Sequence, residues 1–267
     1  MNLVLRGDSA KMLQVIAPGC VHLIVTSPPY DKLRTYKNGV KWDFEGTAKQ
    51  MFRVLCDGGV ICWNVGDSVV NGSETLTAFR QALCFVDTLG LRMHDTMIWK
   101  KSNFAHPEKV RYHQLFEYVF VLSKGAPRVF NPIKDKVNAT AGAIGNLGVN
   151  TFTEADGTKS VRSKKVTAEL GMRGNVWEGN TRGQEDMCQE LEHPAMMPRW
   201  LARDLIKSWS NPGDMVCDPF AGSGTTGQEA KKLGRQYILI DKEPEYVEMI
   251  ESSLAPSGPL FAKTEPV

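Results

Sequence analysis

Met215-Val216-Cys217-Asp218-Pro219-Phe220-Ala221-Gly222-Ser223-Gly224-Thr225-Thr226-Gly227 decides the fold, read with the apolar run Tyr237-Ile238-Leu239-Ile240 that follows it and closes on Asp241. The first residues predict a strand over Met215–Asp218. Glycines then turn the chain into a helix over Thr225 to Leu233, and a second strand runs from Gln236 to Asp241. Gly222, Gly224 and Gly227 satisfy G-x-G-x-x-G, and an acid at the next strand's end lies at the spacing of a ribose-binding carboxylate. Thr225 is expected to cap the helix. Strand, turn, helix, strand and acid agree on an adenosine-containing cofactor, against a purely structural turn. The turn alone leaves a nicotinamide dehydrogenase open. Such a domain needs a second mononucleotide-binding half, which would have to precede the turn, and Asp218-Pro219-Phe220 is unlike a nicotinamide fingerprint. The absence of Gly-Lys-Ser/Thr excludes a Walker A loop.

Working outward, helices are predicted at Pro198–Trp209, with proline at the start, and at Pro244–Leu254. With the two strands they make a βαβα pattern and an α/β fold with a doubly wound, mostly parallel sheet. Far upstream, strand Leu3–Leu5 precedes Gly7-Asp8-Ser9 and a helix over Ala10–Ile16. Val21-His22-Leu23-Ile24-Val25 is a buried-strand run that ends at Thr26-Ser27-Pro28-Pro29-Tyr30. Ligands bind at the carboxyl ends of strands in such sheets. A helix over Thr47–Leu55 ends at Asp57-Gly58-Gly59. Strand Val60–Val65, helix Thr75–Leu89 and strands Met93–Lys100 and Glu117–Leu122 follow.

The segment Ser27-Pro28-Pro29-Tyr30 has its own chemistry. Prolines remove N–H donors and leave carbonyl acceptors. Ser27 Oγ and the Pro28 carbonyl can both accept hydrogen bonds from one NH₂ group. A nucleobase amine is a poor nucleophile because its lone pair is delocalised into the ring. Two acceptors aimed at its hydrogens favour a pyramidal nitrogen able to attack a methyl sulfonium in line. Tyr30 would offer a flat face to a base drawn out of the stack. An isolated Pro-Pro-Tyr would read as a rigid turn or docking motif; its place after a buried strand argues otherwise.

The chain has 267 residues, 42% hydrophobic and 23% charged, with a net charge of +2. No apolar run reaches the roughly 18–20 residues of a membrane span, and the N-terminus has no export-signal pattern. Six cysteines form no C-x-x-C pair, so neither zinc nor another metal is expected and the thiols read as buried hydrophobes. From Lys124 to Arg182 ten Lys/Arg face five Asp/Glu. This stretch of weak periodicity reads as an irregular, basic insertion over 124–190. It divides a catalytic half (1–123) from a cofactor half (191–254) and a tail (255–267).

The chain resembles the β-class DNA amino-methyltransferases. The resemblance runs from Leu3 to Leu254 and rests on Gly7-Asp8-Ser9, TSPPY, Arg53-Val54-Leu55 to Gly58-Gly59, Asn175-Val176-Trp177, His193-Pro194 to Pro198, DPFAGSGTT, Gly234-Arg235 and Glu245-Tyr246. It implies a circularly permuted motif order and S-adenosyl-L-methionine as methyl donor. Ser27, Pro28, Pro29 and Tyr30 would then be catalytic. Asp8, Asp218, Phe220, Gly222, Ser223, Gly224 and Thr225 would surround the cofactor, with Asp241 on its ribose. The implied partner is double-stranded DNA, with no membrane; a homodimer and a cognate restriction enzyme stay open. The implied setting is the cytoplasm of a bacterium, the gene being bacterial or phage-borne. Arg162, Lys164, Lys165 and Arg173 of the basic insertion are the expected DNA contacts. Ser27 tilts the target toward cytosine N4, and adenine N6 stays open. Cytosine C5 is excluded because no Pro-Cys nucleophile occurs. A catalytically inactive DNA-binding module is the alternative from another class. His106, Arg111 and His113 are read as surface residues, Trp63, Trp99 and Trp177 as core. Asp67 and Glu117 are titratable groups in plausible cleft positions.

Overall fold

The computed structural model describes residues 2–29, 42–102, 109–142, 151–153, 156–161, 166–180 and 197–255. These fall into two units, Met1–Asn131 with Asn175–Val267, and Pro132–Gly174.

In the larger unit the elements run β1 (Leu3–Arg6), α1 (Ser9–Met12), β2 (Val21–Thr26), α2 (Phe44–Val54), β3 (Leu55–Val65), β4 (Val69–Val70), β5 (Ser73–Glu74), α3 (Thr77–Leu83), β6 (Arg92–Lys100) and β7 (Phe116–Ser123). The smaller unit holds β8 (Lys134–Val137), β9 (Thr151–Thr153), β10 (Lys159–Val161) and β11 (Leu170–Met172). The larger resumes with β12 (Val176–Glu178), α4 (Arg199–Trp209), β13 (Met215–Asp218), α5 (Thr225–Lys232), β14 (Gln236–Asp241) and α6 (Pro244–Leu254).

The main sheet has eight strands in the order β1-β14-β13-β2-β3-β7-β6-β12. β7 alone runs against the rest. From β13 the chain moves outward to β14, and from β2 it moves the other way to β3. The crevice between β13 and β2 is therefore a switch point in strand order, where open α/β sheets bind ligands. The expected doubly wound α/β sheet is present.

Alternation along the strands builds both faces. Ile238 and Ile240 of β14 join Ile24, Ile61 and Trp63 in a cluster with Leu13, Met51 and Phe85. Leu239 points the other way, onto α5. A Cβ on Gly227 of α5 would lie 2.3 Å from its Cδ1, so only hydrogen fits there. Leu201, Leu205 and Ile206 of α4 are fully buried. Trp63, Trp99 and Trp177 are buried, as expected of core residues.

Several expected boundaries shift for local reasons. α2 begins at Phe44 because Asp43 caps it, Oδ1 accepting from Gly46 N at 2.9 Å. Asp57-Gly58-Gly59 does not end a helix but lies inside β3. Gly58 N donates to Lys124 O at 2.7 Å and Arg128 N to Gly58 O at 2.9 Å. A Cβ on Gly58 would sit 3.0 Å from the Ala126 carbonyl oxygen, at a backbone φ of +73°. The glycines therefore serve a close backbone approach. α3 stops at Leu83 and closes in a wider turn, where Leu89 N reaches Cys84 O at 3.2 Å. Thr225 is not the cap of α5. Gly224 occupies that position at φ +81°, a conformation open to glycine, and Thr225 is the first helical residue.

The smaller unit contains two antiparallel ribbons, β8 with β11 and β9 with β10. β8 is exposed along its length, so no apolar period announces it in the sequence.

Candidate active site

The glycine turn is fastened by backbone bonds. Ala221 N donates to Ile240 O at 2.9 Å, and Gly224 N to Ala221 O at 2.8 Å. Gly222 adopts φ +51°, and its N–H donates to Asp241 Oδ2 at 2.8 Å. The other Asp241 oxygen accepts from Glu243 N at 2.9 Å. Each carboxylate oxygen keeps a further lone pair, so two neighbouring hydroxyls can bind there. Burial raises the Asp241 pKa against these two backbone bonds. Two backbone amides aim the side chain.

β1 ends beside it, Arg6 opposite Asp241, and Gly7 N donates to Asp241 O at 2.9 Å. Asp8 is exposed at this corner and its side chain accepts from Lys11 N at 3.2 Å, capping α1. Ser9 Oγ donates to the Pro219 carbonyl at 2.5 Å, which ties the start of α1 to the Asp-Pro-Phe segment. Phe220 is half-buried and packs edge-on against Trp42, centroids 4.9 Å apart. A turn, an aromatic ring and an aimed carboxylate form a donor and acceptor set that suits an adenosyl group.

The Ser27-Pro28-Pro29 segment begins where β2 ends. Thr26 is fully buried, and its Oγ1 donates to Asp218 Oδ1 at 2.6 Å. Ser27 and Pro29 are half-buried and Pro28 is buried. Tyr30 lies outside the described residues. Asp218, buried at the end of β13, also accepts from Phe220 N at 3.0 Å and from the Thr226 hydroxyl. Burial outweighs these three donors and pushes its pKa up to about 6. Sequence reasoning set Asp218 among the cofactor contacts and gave Thr26 no role. Its signal, a hydroxyl on the last residue of a buried strand, is common enough to pass unnoticed.

The two titratable cleft residues have structural partners. Asp67 Oδ1 accepts from Ala78 N at 3.0 Å, capping α3, whose N-cap Leu76 has no side-chain acceptor. Glu117 accepts from Asn64 Nδ2 at 3.0 Å and Lys101 Nζ at 2.5 Å. Arg111 Nη2 donates to Gly72 O at 2.6 Å, and His113 is exposed. His106 lies outside the described residues, as do Arg162, Lys164 and Lys165. Arg173 is described. Its Nε donates to Asp135 Oδ2 at 3.0 Å and its Nη2 pairs with the same oxygen, so it is held between β11 and β8. This hydrogen bond lowers the Asp135 pKa. Among the described residues no cluster of three or more His, Cys, Asp or Glu could hold a metal ion, and no helix is long and apolar enough to cross a membrane.

The model of the DNA methylase family, comprising N6 and N4 methyltransferases, matches residues 21–252. The orphan methyltransferase M.BamHII of Bacillus amyloliquefaciens is 42% identical over 246 residues, 91% of this chain and 92% of that protein. Among solved structures, the cytosine-N4-specific PvuII DNA methyltransferase superposes with a TM-score of 0.66 at 20% identity, covering 95% of this chain and 86% of that one. M1.HpyAVI in its SAM complex gives 0.59 at 21% identity, covering 95% and 100%.

Proposed function

We propose, from the premise that this chain belongs to the N6/N4 DNA methylase family and is an S-adenosylmethionine-dependent DNA methyltransferase, that it methylates the N4 amine of cytosine in double-stranded DNA. The join between Ser27-Pro28 and the glycine turn through the Thr26–Asp218 hydrogen bond supports methylation of an amine, and Ser27 at the head of the Pro-Pro-Tyr segment favours cytosine over adenine. That join sits at the switch point of a permuted sheet.

S-adenosylmethionine supplies an electrophilic methyl group on a sulfonium. Asp241 would take the ribose hydroxyls on its two remaining lone pairs, and Phe220 would offer an aromatic face to the adenine. Ser27 Oγ and the Pro28 carbonyl accept the two amine hydrogens of a flipped base. This turns the nitrogen lone pair toward the methyl, and no enzyme nucleophile is needed. A new N–C bond forms as the C–S bond breaks, and the extra amine proton leaves to water. A serine is a neutral acceptor and can serve the amine of either base. Recognition of the target falls to residues 124–190, with Arg162, Lys164 and Lys165 on phosphates. Arg173, already paired with Asp135, has the smaller share.

Purified protein with methyl-labelled S-adenosylmethionine and mixed-sequence duplex DNA tests this. After digestion to nucleosides, the label is expected in N4-methylcytosine. Label in N6-methyladenine overturns the choice of base, and no transfer overturns the activity.

A further inference from the structure

We infer that the buried Thr26–Asp218 hydrogen bond is a positioning contact that holds the amine-gripping segment in register with the cofactor turn, Thr26 and Asp218 touching neither reactant. This rests on the reading of Ser27-Pro28 as the grip.

The ladder between β2 and β13 pairs Leu23 with Val216 and Ile24 with Cys217. Beyond Ile24 and Cys217 the strands part at the crevice. Above that last pair, side chains make the link. Thr26 Oγ1 reaches Asp218 Oδ1 at 2.6 Å, across 192 residues of sequence, and Thr226 Oγ1 of α5 reaches the Val25 carbonyl at 3.4 Å. The same Thr226 hydroxyl also faces Asp218, so its one proton is shared between the two acceptors. One carboxylate thus gathers a hydroxyl from the strand that carries the grip, a hydroxyl from the cofactor helix and the N–H of Phe220. Asp218 is only 5% exposed and Thr26 0%, so both face into the protein. A carboxylate used only for packing would be a costly choice, because its desolvation is large. It is explained if its three acceptor bonds fix the relative placement of two reacting groups.

Methyl transfer needs the amine nitrogen and the methyl carbon at roughly 3–3.5 Å in line, and a misplacement of about 1 Å costs on the order of 10²-fold in rate. Removing the Thr26 hydroxyl therefore acts on the chemical step. The acceptor role belongs to the ionised carboxylate. Of the ionisable groups around it, Asp241 on β14 opposes ionisation, whereas β2 and α5 present the hydroxyls of Thr26 and Thr226. On protonation, the carboxyl needs an acceptor of its own and competes with this arrangement.

The test uses the full chain, duplex DNA and S-adenosylmethionine. Thr26→Val, which keeps the shape and loses the hydroxyl, is expected to lower the single-turnover rate about 10–100-fold. Its cofactor dissociation constant by calorimetry should stay within about twofold of the parent, since 2-fold is under ~0.5 kcal/mol. Thr26→Ser is expected to restore most of the rate. The parent rate should fall below a pH of about 6, and Asp218→Asn should lose that limb. The inference is overturned if Thr26→Val is as fast as the parent, if rate and cofactor affinity fall in proportion, or if Thr26→Ser is as slow as Thr26→Val. Ser27→Ala separates the two readings. Full activity in that variant sinks the grip itself, whereas an inactive Ser27→Ala beside an unimpaired Thr26→Val sinks only the positioning contact.

Discussion

The glycine turn and the amine grip lie side by side at the carboxyl edge of one sheet, yet they are held by different means. The turn is fastened by backbone. Ala221 N, Gly222 N and Gly224 N all have short partners, and glycines supply the dihedral angles. The proposed grip has two prolines, which cannot donate from the backbone, and the strand end that carries it is tied by hydroxyls on Thr26 and Thr226. On the proposed reading, cofactor recognition would depend on chain geometry and one aimed acid, whereas the reacting amine would depend on single side-chain atoms. Changes on the turn side should show in binding and stability; changes on the grip side should show in rate.

The largest effect expected on the turn side is Asp241→Ala. It removes the proposed acceptor for two hydroxyls and frees the Gly222 and Glu243 amides. Hydrogen bonds to a charged group contribute about 1.5–3 kcal/mol each, so loss of two should lower cofactor affinity by about 10²–10⁴-fold in calorimetry. Unchanged affinity would break the comparison at its strongest point. Gly227→Val is next. Its side chain would enter the 2.3 Å approach to Leu239, and overpacking of this kind costs about 1–3 kcal/mol. A lower thermal midpoint measures it; an unchanged midpoint would show that α5 can slide.

Asp218 gives a pH signature of comparable or smaller size. Its folded pKa, about 6, lies above the ordinary carboxylate value. The sign follows from linkage. The protonated form favours the folded state below the unfolded pKa, and this stability is lost as pH rises through about 6. Denaturant titrations of parent and Asp218→Asn should therefore diverge between about pH 4 and pH 6, the parent losing more. Parallel profiles would contradict the burial argument. The smallest effect is Arg173→Ala in the separate unit. Its pair with Asp135 is partly exposed, 24% and 48%, so its removal should cost under about 1 kcal/mol and shift the midpoint little.

Much of this was legible in the sequence because backbone needs leave residue types behind. The glycines at 222, 224 and 227, the acid at 241 and the prolines after Ser27 each answer a geometric demand. The doubly wound sheet follows from their alternation with apolar runs such as Val21–Val25. Other features leave no such trace. Asp57-Gly58-Gly59 has the composition of a helix stop, but its glycines serve contact with 124–128, a long-range demand no local pattern shows. Thr225 looks like a cap, and only the positive φ of Gly224 displaces it. Thr26 is one more β-branched residue in a strand until Asp218, 192 residues away, is placed beside it. The ribbons at 134–172 are built of strands of three or four residues, too short for a periodicity to announce them.

The most direct measurement follows Ser27→Ala through both halves of the site, with cofactor binding by calorimetry and methyl transfer to duplex DNA in a single turnover. Loss of one acceptor aimed at developing charge costs about 10²–10³ in rate. The predicted result is cofactor affinity within about twofold of the parent, since 2-fold is under ~0.5 kcal/mol, and transfer reduced by that factor. Full transfer, or a loss of cofactor binding that accounts for the lost rate, would contradict the account.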